Sequence, residues 1–273
     1  MLIDLHTHSN ASDGILPPNK LVQLAKKEGL AAIALTDHDT VKGIETALEA
    51  GYQHGIIVVP SVELSTEYNN YEIHILGYFI DYLDKEFLNY LEMFILSRNS
   101  RGREIVNKLN DLGILLEWGN IAEMFGNGSV GRPHIARALM DRGYVGSMDE
   151  AFYKYLNPGA PAFVPRLKSD PAEAVRMIKS AKGIPVLAHP GLLASSSLIR
   201  KLISFGIMGI EVYYPLHASE DIQYFKSICE KHNLVATGGS DYHGIGQDIK
   251  KRIGLSNVNF GVLEELKKLS ESL

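Results

Sequence analysis

The chain has 273 residues, 45% of them hydrophobic, enough to bury a full core as one α/β barrel with an insertion or as two domains. Its formal charge of -5 and pI near 6.1 supply no bulk attraction to nucleic acid or anionic lipid, so the expected partner is small, with neither duplex nor membrane. Cys229 is the single cysteine, which excludes an intrachain disulfide and a cysteine-based zinc site, so any metal must sit on histidine and carboxylate. The opening MLIDLHTHSN carries neither a basic stretch nor an apolar run of signal length, and no run of about 18 apolar residues follows. A soluble cytoplasmic protein is expected.

Seven short apolar runs read as strands: Leu2 to His6, Ile33 to Thr36, Ile56 to Pro60, Ile73 to Phe79, Pro185 to Ala188, Met208 to Tyr213 and Leu234 to Thr237. Helical periodicity falls between them at Lys20 to Glu28, Val41 to His54, Ala172 to Ala181, Leu198 to Phe205, Glu220 to Lys231 and Val262 to Leu269. Gly29, Gly55, Gly183 and Gly206 follow several of these, as C-terminal caps should. Repeated βα units predict a parallel sheet with right-handed crossovers, doubly wound or closed into a barrel. From about Asp84 to Arg166 the strand signal gives way to helix, over Glu86 to Leu112, Pro133 to Asp141 and Met148 to Leu156. The expected division is barrel over 1–83, helical insertion over 84–166 and barrel again over 167–273.

His6 and His8 close the first run two residues apart, on one face of a strand. Polar residues recur where other runs stop: Asp37, His38 and Asp39, then Glu63, His189, Asp241 and His243, with His74 inside a fourth run. Strand ends of a parallel barrel converge on one face, so this bias toward His, Asp and Glu predicts a metal site there. Six histidines with Asp13, Glu63 and Asp241 exceed what one ion takes. Two or three divalent ions are expected, with Glu63 as bridge, and nitrogen and oxygen donors suit Zn, Mn or Fe. Three carboxylates against three such ions leave positive charge, which favours an anionic substrate such as a phosphate ester. Two metals roughly 3.5 to 4 Å apart supply a metal-bound hydroxide and neutralise the oxygens of an in-line displacement.

The segments DLHTHSNASDG, LTDHDT, VELS, IHILGY, AHPG and GGSDYHG resemble, in order, the motifs of the PHP (polymerase and histidinol phosphatase) superfamily. That resemblance implies a distorted seven-stranded (β/α) TIM-like barrel with a trinuclear centre. It implies His6, His8, Glu63 and Asp241 at one metal, Glu63, His74 and His189 at a second, and Asp13, His38 and His243 at a third. Many members of the superfamily have His where this chain has Asp13. SVGRPHIARAL and a later FVPR are similar to the subgroup that removes phosphate from nucleotides, whose helical insertion caps the site. By that resemblance Arg132, His134 and Arg166 bind phosphate. The substrates implied are nucleoside 3',5'-bisphosphates, AMP-like mononucleotides or the 5' ends of short oligonucleotides. Three other readings stand beside it: a histidinol-phosphate-type phosphatase, an amide or ester metallohydrolase, and a non-catalytic metal-binding module.

The bland reading is kept for His54 and His232 near helix ends and for Trp118 as a packing residue. Tyr213, Tyr214 and His217 are candidates to line the pocket, and Asp37 and Asp39 to orient ligand histidines. Gly126, Gly128 and Gly131 permit the insertion to move.

Overall fold

The computed structural model describes residues 1–124, 130–165, 169–193, 196–244, 252–256 and 258–272. Among them β1 (Leu2–Thr7), β2 (Ala32–Leu35), β3 (Ile57–Tyr68), β4 (Tyr71–Tyr78), β5 (Ile184–Leu187), β6 (Gly209–Tyr213), β7 (Val235–Gly238) and β8 (Val258–Asn259) form one sheet. Its order is β7-β6-β5-β4-β3-β2-β1-β8. The segment after β7 returns to β1, where His8 N–H donates to the Tyr242 carbonyl at 2.9 Å and Asp241 N–H to the His6 carbonyl at 2.9 Å. The sheet is thereby nearly closed into a barrel.

The parallel expectation needs correcting at β4, which runs antiparallel to both neighbours, and at β8, which is antiparallel to β1 and makes eight strands rather than seven. A hairpin explains β4. Asn69 and Asn70, at φ 51° and 66°, turn the chain between β3 and β4, and asparagine tolerates that region better than most residues. β3 therefore continues eight residues past Pro60, and Glu63 lies within the strand rather than after it.

Alternate strand residues divide between two cores, as a period of two requires. Ile33, Leu35, Val58, Val62, Ile75, Ile210 and Val212 pack under the covering helices α1 (Pro18–Lys27), α2 (Ile44–His54), α7 (Pro171–Ser180), α8 (Ser196–Phe205) and α9 (Ser219–His232). Ala32, Ala34, Val59, Leu76, Tyr78, Ile184 and Val186 form the other core with α10 (Phe260–Ser270). A third apolar cluster contains no strand residue. It joins the C-terminal half of α3 (Lys85–Asp111) to α4 (Trp118–Met124), α5 (Arg132–Asp141), α6 (Met148–Ala151) and the π-helical turn Phe152–Leu156. Asp84 starts α3 by accepting the Phe87 N–H at 2.8 Å. Trp118 packs in this layer against Gly102 and under Arg103. No described helix is long and apolar enough to cross a membrane.

Candidate metal centre

The centre is built from strand ends and the turns that follow them, with Glu63 and His74 supplied from within β3 and β4. β1 delivers His6 and His8, both fully buried. The turn beyond is pinned by Asp37, whose carboxylate accepts Ser9 N–H at 2.8 Å, Ser9 Oγ–H at 2.7 Å and Ser12 Oγ–H at 2.6 Å. That pin sets Asp13 opposite His243, with Oδ1 to Nε2 at 3.2 Å. Asp39 accepts the Ser65 N–H at 2.9 Å and pairs with Arg98 of α3. Asp37 and Asp39 thus hold loops, not the histidine rings that the sequence suggested they orient. His189 and Asp241 both follow strands in the positive-φ region, at 29° and 54°. Non-glycine residues there are held by surrounding bonds and cluster at functional sites.

Glu63 is the hub. Its Oε2 lies 3.1 Å from His6 Nε2, 3.2 Å from His8 Nε2 and 3.4 Å from His38 Nδ1, and its Oε1 lies 2.8 Å from His74 Nδ1 and 3.2 Å from His189 Nε2. Among the described residues, three sets of donor atoms fall within 4.8 Å of one another: His6, His8, Glu63 and Asp241; His8, Asp13, His38 and His243; and His38, Glu63 and His74. His8 and His38 are each shared by two sets, and His189 reaches Glu63 without joining one. This differs from the grouping the resemblance implied, which gave His8 one metal and placed His189 with His74.

The donors fit metal. Both ring nitrogens of His8 are buried without a hydrogen-bond partner, although Nε2 is 3.2 Å from Glu63 Oε2 and 3.2 Å from Asp241 Oδ1. A buried polar atom in that state calls for an explanation, and a nitrogen set between two carboxylates suits a cation, a proton in the metal-free chain or a metal in its place.

Charge in the centre is strongly coupled. Burial opposes charge on every group, yet Glu211, Glu63 and Asp241 hold the His6 proton affinity well above the usual imidazole range. Against the same burial, Asp241 and Glu63 raise His8 to about 10, and Glu63 raises His74 to about 9. His38 goes the other way, lowered to about 4, because burial and the charges of His8 and His74 outweigh Glu63 and Asp13. Glu63 and Asp13 lie well below the carboxylate range despite burial, drawn down by their histidine neighbours, and Asp241 is lowered in the same way. A pocket that gathers protons onto buried imidazoles in this way offers the same field to a divalent cation.

A cavity of about 230 Å³ opens over the centre. Asp13, His38 and His74 line one side. Phe94, Ser97, Arg98 and Arg101 line the other, a stripe at helical spacing on α3, with Gly131, Arg132 and Pro133 at the start of α5. Arg132 also donates to the Leu156 carbonyl at 3.4 Å and lies over the Phe152 ring. His134 is buried. Its Nδ1 accepts the Gly131 N–H at 2.9 Å and its other nitrogen bonds the Ser12 backbone, while burial lowers its proton affinity to about 4. In this arrangement it ties α5 to the loop carrying Asp13. Arg166 lies outside the described residues, as do Gly126 and Gly128.

Tyr214 donates from its hydroxyl to Asp241 Oδ2 at 3.1 Å, and His217 is spent on the Val212 carbonyl and the Gly191 N–H. Sequence reasoning missed three residues. Arg98 and Arg101 were legible as a three-residue spacing of like charge on one helix. Glu211 was legible as an acid in the middle of an apolar strand, a position that demands a buried partner.

The PHP domain family model matches residues 4–153. A 3',5'-nucleoside bisphosphate phosphatase of Chromobacterium violaceum is 35% identical over 256 residues, covering 90% of this chain and 88% of the relative. A 5'-3' exoribonuclease Rnm of Salmonella typhimurium is 33% identical, covering 89% and 85%. A presumed metal-dependent phosphoesterase of Bifidobacterium adolescentis superposes with a TM-score of 0.89 at 27% identity, covering 97% of this chain and 94% of the neighbour. The chain belongs to the PHP domain family.

Proposed function

We propose that this chain is a metal-dependent phosphoesterase that hydrolyses phosphomonoesters of nucleotides: nucleoside 3',5'-bisphosphates, AMP-like mononucleotides or the 5' ends of short oligonucleotides. The observation that carries the reading is one cavity lined both by Asp13, His38 and His74 of the donor sets and by Arg98, Arg101 and Arg132 of the helical segment. His6, His8, Asp13, His38, Glu63, His74, His189, Asp241 and His243 would hold two or three divalent ions, with Mn, Fe or Zn suited to the donors. Such ions supply an activated water and neutralise phosphoryl oxygens.

The chain's own residues do the rest. Glu63 joins the donor sets through its two oxygens. Arg132, at the first turn of α5, presents a guanidinium fork where the helix N-terminus also favours anions. His134 sets that turn against the Asp13 loop, and Arg166 is a further phosphate contact by resemblance. The helical segment 84–166 acts as a cap over a barrel made by 1–83 and 167–273, in a cytoplasmic protein.

The test is phosphate release from adenosine 3',5'-bisphosphate, AMP, a short 5'-phosphorylated RNA, histidinol phosphate and an aryl phosphate, with Mn, Zn, Fe or no metal. Metal-dependent release favouring nucleotides is expected. Arg132→Ala should lower kcat/KM by about 10- to 100-fold, the range for a lost charge-assisted hydrogen bond. Equal rates on all esters, or no release by folded, metal-loaded protein, would overturn the reading.

A further inference from the structure

Glu211 sits on β6, fully buried, and touches two histidines of the centre from behind. Its Oε1 lies 2.9 Å from His6 Nδ1, and its Oε2 accepts the His189 backbone N–H at 2.7 Å. These histidines meet different oxygens of the hub: His6 Nε2 is 3.1 Å from Glu63 Oε2, and His189 Nε2 is 3.2 Å from Glu63 Oε1. We propose that Glu211 is a positioning residue that fixes the His6 tautomer and clamps the His189 backbone, so that both imidazoles turn Nε2 toward Glu63 and its metals.

Hydrogen-bond capacity decides the His6 tautomer. A carboxylate only accepts, so the His6 nitrogen facing it must donate, which leaves Nε2, between Glu63 and Asp241, as the nitrogen that gives up its proton and offers a lone pair when a metal is held. A metal-ligating imidazole needs that arrangement, its far nitrogen held by an acceptor that sets tautomer and ring orientation. His189 needs help of another kind. Its φ of 29° and ψ of 57° are uncommon for a side chain with a Cβ, and the turn persists only if something holds the N–H that it aims inward. Glu211 is that acceptor. One buried side chain thus serves the ring of one candidate ligand, on β1, and the main chain of another, in the turn after β5. The inference depends on the metal reading of the centre.

Glu211→Gln separates positioning from packing, because it keeps shape and removes one acceptor. An amide has a single oxygen, and two N–H donors converge on residue 211. Either one donor goes unsatisfied, or His6 moves its proton to Nε2, where it blocks the metal. The variant should bind zinc about 10- to 100-fold more weakly in competition with a chromogenic chelator, the range for lost partners of metal-bound histidines. Zinc-loaded, ¹⁵N-labelled wild-type protein should show a slowly exchanging Nδ1–H on His6, a readout that does not require the variant to fold. Zinc affinity of Glu211→Gln equal to wild type, or a His6 proton on Nε2 in the zinc-loaded wild type, would overturn the assignment. Wild-type protein that takes up no divalent metal would overturn the metal reading and this inference together, whereas uptake by wild type and an unchanged variant sinks the inference alone.

Discussion

Gly239→Ala tests how tightly the fold and the centre are joined. A Cβ at residue 239 would stand 2.1 Å from His6 Cβ, 2.4 Å from His6 N and 2.7 Å from His6 Cα. Carbon atoms rest at about 3.5–4.0 Å, so relief requires more than about 1 Å of movement between the turn after β7 and β1. The obstacle is largely backbone, and β1 is paired on both sides, so no flexible side chain can yield. Overpacking of this kind costs about 1–3 kcal/mol and more where backbone must shift. At roughly 2–4 °C per kcal/mol for a chain of this size, a fall in Tm of about 5–10 °C is expected. His6 carries the error into the centre, where a shift of about 1 Å costs on the order of 100-fold in rate. Calorimetric unfolding with metal analysis on the same samples reads both effects. Gly119→Ala is the control, since a Cβ there meets nothing within 4 Å. A Gly239→Ala protein with wild-type Tm and full metal content would refute the reasoning.

Metal uptake should release protons. His8 at about 10 and His74 at about 9 are protonated at pH 7 in the metal-free chain, so affinity should climb as pH rises toward 9 and level off above 10. Calorimetric titrations in buffers of different ionisation enthalpy count those protons, and none released at pH 7 would contradict the charge assignment. His134 acts on stability through a lowered proton affinity. Its folded value near 4 lies below the unfolded value near 6.5, so the unfolded chain binds the proton first and stability falls from pH 6.5 toward 4. The loss is on the order of 3 kcal/mol, and His134→Gln should remove that share of the acid slope in urea unfolding curves. Gly102→Ala pushes on the Trp118 ring at 2.6 Å, within the helical layer. It should cost about 1–3 kcal/mol by overpacking while metal content stays at the wild-type level, which metal analysis of purified protein would check.

Much of the barrel was legible because local physics wrote it. Apolar runs of four to seven residues alternate with amphipathic stretches, and the period changes wherever the element does. The convergence of His6, His8, His38, His189, Asp241 and His243 on one end of the sheet followed from that alternation, since parallel strands end on one face. The antiparallel β4 was not legible. Ile73 to Phe79 reads as a strand in either direction, and only the Asn69–Asn70 turn and the pairing of Glu63 with Leu76 decide which.

Position along the chain determined which residues are able to hold metal. With one cysteine and no thiolate cluster, the donors had to be histidine and carboxylate. Tertiary structure alone decided how they are shared. Glu63 stands among five imidazoles because β3 runs past Pro60 into a hairpin, and His8 serves two donor sets because the turn after β7 folds back on β1. The contacts of Glu211, Arg98 and Arg101 were likewise set in space. A lone acid in a strand and two arginines on a helix have many uses, and a partner 205 residues away in the chain selects one of them. Periodicity reports which face a side chain occupies; it carries no information about what that face meets, because distant pairing is fixed by packing.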